Sequence, residues 1–511
     1  MVINDLKNYY KNLNISIFKI LEEKEIKYPR IAPFNPSNNY PEYPFSHKIN
    51  IKENNYSYHA VRESLRLLKL DKEKFGKNTW NPFKNIIKSG DKVLIKPNFV
   101  LSHHNKKGDL FSIITHPSVI RAVIDYCFIA LKGNGQIIIA DAPQMDCNFN
   151  TLLKNTNLLS IQKLYKEMKG FEIKIIDLRN FWLDNDLNDV VASIEKREKL
   201  LGDPLGSKIV NLGEKSEFYE IKNWNRFYGA DYNRGETIRH HHDDIQEYMI
   251  SRTVLSSDVI ISIPKLKVHK KTGVTLNAKG LVGINTNKNY LIHYMLGIPD
   301  EGGDQFPNRL LSFRERLIIK LQRILYDKLL APKNMRLEKI YVRITHFYKK
   351  YLKYIVGTVP KQKRLLDGGN WYGNDTTWRM VVDLVKIIYF ADSEGKFHSY
   401  PQRKIFSIID GIIGGEKEGP LIPDSKKSGV VIAGFNPIAV DIGATRLMGF
   451  DWKKLKIYNE LIKNEDFDFF LDDPNKIKLF SNFYKEDISK VDKNNCLNFI
   501  PPFGWEGKIE I

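Results

Sequence analysis

Short apolar runs that end abruptly in polar residues recur along the chain. The first is DKVLIKPN at 91–98, with Val93, Leu94 and Ile95 at its centre, and GQIIIADAP at 135–143 repeats its form. Apolar runs of this length without polar alternation are typical of strands that are buried on both faces of a sheet. The same pattern predicts further strands at 171–178, 258–266, 404–410 and 429–435.

Segments with helical spacing separate these runs. Between the first two strands, apolar residues recur at helical intervals, and Pro117 and Gly133 suit the first turn and the end of a helix. A second helical pattern follows Asn436 and Pro437. Strand, helix and strand in this order form a βαβ unit, which contains parallel strands. We therefore predict an α/β fold, with a mostly parallel sheet and flanking helices.

Residues 311–364 differ in composition from the rest of the chain. They contain 15 Lys and Arg against 3 Asp and Glu, a surplus of 12 positive charges. Two apolar stripes at helical spacing run through this segment, which predicts an inserted pair of basic amphipathic helices. The stripes are Leu310, Phe313, Leu317, Leu321, Leu325 and Leu329, followed by Tyr341, Ile344, Phe347, Tyr348, Tyr351, Leu352 and Ile355.

Two interpretations of this insertion stay open. Its basic residues favour peripheral contact with an anionic membrane, whereas helical stripes also commonly pack against the body of a protein. With the insertion, the chain divides into four predicted parts. They are an N-terminal extension (1–85), a first α/β part with a Lys/His motif (86–305), the basic helical insertion (306–365), and a second α/β part with an Asp-Gly/Glu loop and a C-terminal tail (366–511).

The overall composition excludes several classes of protein. The chain has 511 residues, a formal net charge of +19 and 42% hydrophobic residues, so it is globular rather than disordered or fibrous. Its three cysteines are too few and too scattered for a disulfide framework or an iron–sulfur cluster. We therefore expect a cytoplasmic protein without an iron–sulfur cluster. No apolar stretch reaches the ~18 residues that a spanning helix needs.

Polar residues stand where the predicted strands end. Lys96 and Asn98 follow the first strand, Asp141 ends the second, and Asp410 ends the fifth. Ligands gather outside the carboxyl ends of strands in open parallel sheets, because loops and helix N-termini collect at that edge. Each of these residues alone is compatible with a solvated loop. Their repetition indicates a common site.

The densest polar stretch is PKLKVHKKTGVTLNAKGLVGINTNKNYLIHYMLG, at 264–297. Lys265, Lys267 and His269 alternate in it, and alternate residues of an extended segment share one face. Such a face suits an anionic substrate, although a basic loop that binds nothing is the alternative. The residues that we predict to converge on the anion are Lys96, Asn98, Lys265, Lys267, His269, Thr272 and Lys279.

Three carboxylates and two histidines supply the predicted chemistry. Asp410 and Glu416 lie in the glycine-rich run IIDGIIGGEKEGP, where oxygen ligands on a loop suit Mg²⁺ or Mn²⁺, or general acid–base catalysis. We predict that they act as a unit with Asp141 in binding the metal. His116 or His293 is the candidate general acid–base group near neutral pH. In the alternative, Asp410 caps a turn and Glu416 is solvated.

Two tryptophans flank a further polar group in GGNWYGNDTTWR, at 368–379. Here Asn374 and Arg379 are candidates for hydrogen bonds to a sugar or a base-like ring that stacks on a tryptophan. The alternative is a turn that the tryptophans hold in place before a helix.

Taken together, these motifs resemble a known family, the domain of unknown function 362 family. The resemblance covers roughly residues 90–455 and includes VLIKPNFV, THPSVIRAVIDY, IIIADAP, DVIISIPKLKVHKKTGVTLNAKGLVGI, IIDGIIGGEKEGP and GFNPIAVDIGATRLMG. The segments GNWYGNDTTWR and HYMLGIPDEGGD resemble a long-chain subgroup of that family. The resemblance implies no particular activity, and some relatives carry ferredoxin-type domains whose Cys-x-x-Cys runs this chain lacks. Where the family usually has leucine-lysine-asparagine, this chain has Asn277, Ala278, Lys279 and Gly280.

Three hypotheses for the function follow. The first is an enzyme that acts on an anionic small molecule, phosphorylated or carboxylated, or on a lipid- or sugar-linked phosphate, with or without a divalent metal. The second is a non-catalytic protein that binds or senses such a ligand. The third, nucleic-acid binding, lacks a recognisable motif and is not expected.

Overall fold

The structure, a computed structural model, describes residues 2–45, 53–183, 197–231, 233–330, 334–352, 354, 357–464, 471, 473–484 and 487–511. Ile355, part of the second predicted stripe, lies outside them. The strands are β1 (Asn14–Lys19), β2 (Lys92–Pro97), β3 (Gln136–Asp141), β4 (Ile173–Asp177), β5 (Phe181–Leu183), β6 (Arg197–Lys199), β7 (Ser207–Asn211), β8 (Phe227–Gly229), β9 (His241–His242), β10 (Ile245–Ser251), β11 (Val259–Ile263), β12 (Lys265–His269), β13 (Gly273–Val274), β14 (Ile292–Met295), β15 (Lys404–Glu416), β16 (Asp424–Gly434) and β17 (Lys478–Ser481).

Fourteen α-helices are assigned within the described residues. They are α1 (Val2–Tyr10), α2 (Tyr56–Leu67), α3 (Pro117–Leu131), α4 (Phe149–Thr156), α5 (Leu158–Lys169), α6 (Arg234–His240), α7 (Arg252–Leu255), α8 (Leu276–Gly280), α9 (Phe313–Leu325), α10 (Met335–Phe347), α11 (Lys361–Leu365), α12 (Thr377–Phe390), α13 (Pro437–Met448) and α14 (Lys456–Lys463). None of these helices is long and apolar enough to cross a membrane.

The central sheet is mostly parallel, as predicted. Its strands follow the order β17-β1-β16-β15-β11-β2-β3-β4, and the run from β15 to β4 is parallel throughout. The strand β16 is antiparallel to both of its neighbours, β15 and β1. Because β1 belongs to the predicted extension at 1–85, that part of the chain contributes a strand to the sheet. The short strands β12 and β13 extend from β15 beside the central strands.

Alternating side chains of the central strands enter two separate cores. Val93 and Ile95 of β2 pack on one face beneath α2 and α3, while Leu94 packs on the other face beneath α12 and α13. The parallel strands are therefore apolar on both faces, and this explains why they appear in the sequence as continuous apolar runs.

The glycine-rich part of the run after Asp410 is predicted to be a loop, and this prediction is wrong for residues 411–416. The strand β15 continues through it to Glu416 and pairs with β16. The glycines admit close neighbours along the strand: a Cβ atom at Gly415 would lie 2.5 Å from the carbonyl oxygen of Ser112. Here glycine permits tight packing of a strand rather than a mobile turn.

Candidate functional site

A cavity of about 290 Å³ lies at the carboxyl ends of β2 and β3. Asn98, which follows β2, and Asp141, which ends β3, line this cavity. Most of the charged side chains around it are positive, and we call it the lysine cavity. Its ionisable lining residues are Lys267, Lys270, Lys271, Lys279, Lys288, His269, His293, Asp141 and Asp146.

A buried ion pair lies at one wall of the lysine cavity, which Asp141 lines and which Lys96, contrary to the prediction, does not. Lys96 Nζ lies 2.8 Å from Asp141 Oδ1, and both side chains are almost fully buried. The other carboxylate oxygen of Asp141 accepts a hydrogen bond from the backbone N–H of Phe99 at 2.7 Å. Burial raises the pKa of Asp141, and the nearby Lys96 opposes this shift. The pair thus neutralises most of the negative charge that Asp141 brings to the cavity wall.

The backbone at Gly283 closes over this ion pair. A Cβ atom at Gly283 would lie 1.8 Å from Asp141 Oδ1 and 2.7 Å from Lys96 Nζ. The carbonyl oxygen of Gly283 also accepts a hydrogen bond from the N–H of Ala142 at 2.8 Å. Any side chain at this position would displace the pair, so the close approach requires glycine.

Backbone carbonyls hold three lysines of the cavity, and one of them, Lys271, donates to Gly368. Lys267 Nζ donates to the carbonyl oxygens of Ile113 at 2.7 Å and Pro420 at 3.1 Å. Lys288 Nζ donates to the carbonyl oxygen of Ala142 at 2.9 Å. Carbonyl dipoles orient an ammonium group without neutralising its charge. When protonated, Lys267 and Lys288 therefore bring a positive charge to the cavity that the carbonyls do not neutralise, although burial lowers the pKa of both.

The side-chain ammonium of Lys279 has no hydrogen-bond or ion-pair partner among the described residues, although only 7% of the residue is exposed. It lies on the short helix α8, whose first turn is held by Asp441 of α13. The Asp441 carboxylate accepts hydrogen bonds from the N–H groups of Asn277 and Ala278, each at 2.9 Å. The first residue of α8, Leu276, has a φ of 46°, in the left-handed region. The fold thus positions a lysine whose charge is left uncompensated.

Burial and mutual repulsion lower the pKa values of the cavity lysines. The pKa of Lys271, of Lys279 and of Lys288 is lowered to about 7, with burial as the largest cause in each case. For Lys279 the second cause is repulsion from the other two. Such amines change charge near neutral pH, so they can accept a proton or hold an anion.

The two histidines of the cavity are neutral and have opposite tautomers. Burial and the nearby lysines hold the pKa of His269 and of His293 well below the usual range. His269 Nδ1 accepts a hydrogen bond from the N–H of Lys271 at 3.1 Å, so the ring proton is on Nε2. His293 Nδ1 lies 3.2 Å from the carbonyl oxygen of Leu291, to which it must donate, so Nε2 is free to accept a proton.

Lys265 and Asp410 form a separate buried pair away from the lysine cavity. Lys265 Nζ lies 3.1 Å from Asp410 Oδ2, and neither side chain is exposed. Tyr28 donates to Asp410 Oδ1 at 2.6 Å and completes the cluster. Alternation predicts that Lys265 and Lys267 share a face, but the pairing of β12 with β15 shifts register between them. The structure therefore brings only Lys267 into the cavity.

His116 belongs to the same cluster as Asp410. Its N–H donates to Asp410 Oδ2 at 2.9 Å, and its ring stacks on Tyr28 with 4.0 Å between ring centroids. His116 Nδ1 also caps α3 by accepting a hydrogen bond from the N–H of Ser118. This histidine thus supports the structure of the cluster and is not among the residues lining the lysine cavity.

The three carboxylates predicted to bind Mg²⁺ or Mn²⁺ are not brought together. Glu416 pairs with Lys426 at 3.0 Å. It lies six residues beyond Asp410 on one strand, a separation of roughly 20 Å. Asp141 has its own partner in Lys96. In the part of the chain that the structure describes, no group of three or more His, Cys, Asp or Glu could hold a metal ion.

Of the remaining predicted binding residues, Thr272 and Asn374 lie beside the lysine cavity, whereas Arg379 lines neither this cavity nor the pocket next to it. Thr272 and Asn374 line a smaller pocket of about 110 Å³, which shares Lys271 with the cavity. Arg379 pairs with Asp375 at 2.8 Å and stacks over Trp378, so its guanidinium stabilises the start of α12.

Comparison with models of known protein families identifies the family of this chain. The model of a domain of unknown function (DUF362) matches residues 93–195 and 213–446. The chain belongs to the DUF362 family. No curated protein and no solved structure matches it. The resemblance seen in the motifs is thereby confirmed, and the matched residues contain every side chain of the lysine cavity described above.

Sequence reasoning missed several residues of this DUF362 site. Lys270 and Lys271 follow the end of β12, where strand alternation gives no guidance. Lys288 is a single lysine in a polar loop, and nothing local distinguishes it. Asp441 could have been predicted from the sequence. It is an acidic residue within the apolar helical pattern after Pro437, and such a position indicates a buried charge that needs partners.

The substitution Lys279→Met tests whether the buried charge is uncompensated. Removing an unpartnered buried ammonium should raise the free energy of unfolding by about 1 to 3 kcal/mol near pH 7. The unfolded chain, with a lysine pKa near 10.5, binds more protons than the folded chain above about pH 7. Wild-type stability therefore rises with pH in this range, and the advantage of the variant shrinks. Denaturant unfolding of both proteins at pH 6 to 9 measures this difference in the free energy of unfolding. A variant less stable than the wild type would contradict the conclusion that the charge of Lys279 is uncompensated.

The substitution Gly283→Ala tests the close approach over the ion pair. The added Cβ atom must displace Asp141 or Lys96, so we expect a loss of about 1 to 3 kcal/mol in the free energy of unfolding. Gly280→Ala is the matched control, because a Cβ atom there meets nothing within 4 Å. Equal stability of the two variants would show that the wall is not packed as described.

Proposed function

We propose that this DUF362 protein is an enzyme that binds an anionic small molecule, phosphorylated or carboxylated, in the lysine cavity and transfers a proton on it. The observation that carries the proposal is Lys279, a buried ammonium group without a partner among the described residues. Unpaired buried charge destabilises a fold, so its retention favours a functional role.

The charge of the cavity supports a ligand with more than one negative charge. Five lysines line it against two carboxylates, and Asp141 is already paired with Lys96. Lys267 and Lys288 donate to carbonyls, so their charges also remain to be neutralised. A bound anion would offset the repulsion among these groups and raise their pKa values.

The histidines support proton transfer. In neutral His293, Nε2 can accept a proton from the ligand, whereas in His269 it carries a proton to donate. The two imidazoles thus provide a base and a hydrogen-bond donor at one cavity. The proposal does not depend on Mg²⁺ or Mn²⁺, because Asp141, Asp410 and Glu416 each have a separate lysine partner.

A second candidate function is non-catalytic binding or sensing of the same anion. It is favoured by one observation: Asp410 and Glu416, the carboxylates expected in a catalytic cluster, do not line the cavity. The two candidates share the ligand and differ in turnover.

The first experiment measures anion binding by calorimetry, with inorganic pyrophosphate and citrate as probes. We expect saturable binding with proton uptake at pH 8, because cavity lysines with a pKa near 7 are mostly neutral there and gain protons beside an anion. Two buffers of different ionisation enthalpy separate the proton uptake from the binding heat. Lys279→Met should weaken binding about tenfold or more. Binding without proton uptake, or equal binding by the variant, would refute the role of these lysines.

The second experiment distinguishes the enzyme from the binding protein. Wild-type protein and His293→Gln are incubated with a panel of phosphorylated and carboxylated metabolites, and conversion is followed by NMR. We expect turnover by the wild type and a loss of about 100-fold or more in the variant, which retains ligand binding. Binding without turnover of any member would favour the sensing protein. Unchanged turnover in the variant would show that His293 does not take part in proton transfer.

A further inference from the structure

The inserted helix α9 exposes an apolar stripe. Phe313, Leu317, Leu321 and Ile324 are spaced by four, four and three residues and therefore lie on one side of the helix. All four are exposed, with Phe313 at 78%. The described part of the protein thus leaves exposed half of the stripe that the sequence predicts, while Leu310, Leu325 and Leu329 are half-buried.

The helix α10 and the turn that follows it expose a second apolar stripe. Ile340, Ile344, Phe347 and Tyr351 are spaced by four, three and four residues, and all four are exposed. No described side chain of α10 is buried. Of the second stripe that the sequence predicts, Ile344, Phe347 and Tyr351 are exposed, while Tyr341, Tyr348 and Leu352 are half-buried.

Contacts outside the exposed stripe attach α9 to the protein. Ile318, which lies about 100° around the helix from Leu317, is buried in a small cluster with Phe306 and Val359. Asp327, just after α9, accepts a hydrogen bond from Tyr228 at 2.7 Å and pairs with Arg234 at 3.1 Å. The helix thus has one anchored side and one uncovered apolar side.

The charge of the insertion indicates what covers these stripes. Residues 311–364 carry 15 Lys and Arg against 3 Asp and Glu. Two of the three acids are engaged within the protein, Glu315 with Lys363 and Asp327 with Arg234. Exposed basic residues accompany both stripes, among them Lys320, Arg336 and Arg343. The uncovered surface is therefore apolar and strongly basic at once.

We propose that the surface formed by α9 and α10 docks on an anionic membrane. Interfacial amphipathic helices combine an apolar side, which enters the boundary between headgroups and acyl chains, with lysines and arginines that bind anionic headgroups. A nucleic acid would account for the charge but offers no apolar surface for residues such as Phe313 and Phe347. A protein partner would account for the stripes without requiring the surplus of 12 positive charges.

Flotation of the full-length protein with vesicles tests this surface. Vesicles of phosphatidylcholine alone are compared with vesicles that also contain phosphatidylglycerol. We expect at least about tenfold more protein recovered with the anionic vesicles, and less recovery as salt increases, because salt screens the headgroup contacts. Equal recovery with both lipids would overturn the proposal.

Matched variants separate the apolar and basic contributions. Phe313→Ser with Leu317→Ser and Leu321→Ser should lower recovery about tenfold or more, since these side chains are exposed and their loss does not disturb the core. Leu159→Ser with Met168→Ser, at similarly exposed positions on α5, should leave recovery unchanged. An equal loss in this control would refute the assignment of the surface.

Variants that lack basic residues test the charge contribution. The combination of Arg336→Gln, Lys339→Gln and Arg343→Gln should weaken binding to anionic vesicles only. Binding of the wild type to RNA or DNA but not to vesicles would overturn the proposal and show that the surface binds a nucleic acid instead.

Discussion

Positive charge held away from water without a carboxylate partner is the constraint on which this site depends. The lysine cavity concentrates ammonium groups that donate to carbonyls, as Lys267 does, or have no partner in the described chain, as Lys279 does. Water would solvate them better than the protein does. The surrounding elements must therefore be held firmly. The Asp441 carboxylate accepts hydrogen bonds from the first turn of α8, and Gly283 packs directly over the ion pair of Lys96 and Asp141.

Much of the fold could be predicted from the sequence, because parallel strands buried on both faces leave a pattern that needs no partner to be recognised. The strands β2 and β3, with α3 between them, are an example. The pattern failed at 411–416, where glycines were taken as a loop signal. They serve close packing of β15, as at Gly415, and close packing depends on neighbours that are distant in sequence.

The site could be predicted only in part for the same reason. Position at a strand end identified Asn98 and Asp141, and alternation identified Lys267 and His269, all of which line the lysine cavity. Alternation failed for Lys265, because the register of β12 against β15 shifts beyond it. Each of the three carboxylates predicted to bind a metal forms an ion pair with a different lysine. These pairs depend on tertiary contacts, which the sequence pattern does not show. The metal itself and the four-part division of the chain stay predictions.

Lys279 is expected to change charge near neutral pH, because no carboxylate among the described residues compensates its charge. NMR titration of the protein labelled with ¹³C at the lysine ε-carbon measures this charge directly, with Lys279→Met to assign the signal. The account predicts a Lys279 pKa of about 7 in the free protein and a rise when pyrophosphate binds. A pKa near 10.5 in the free protein, or one that the anion leaves unchanged, would contradict it.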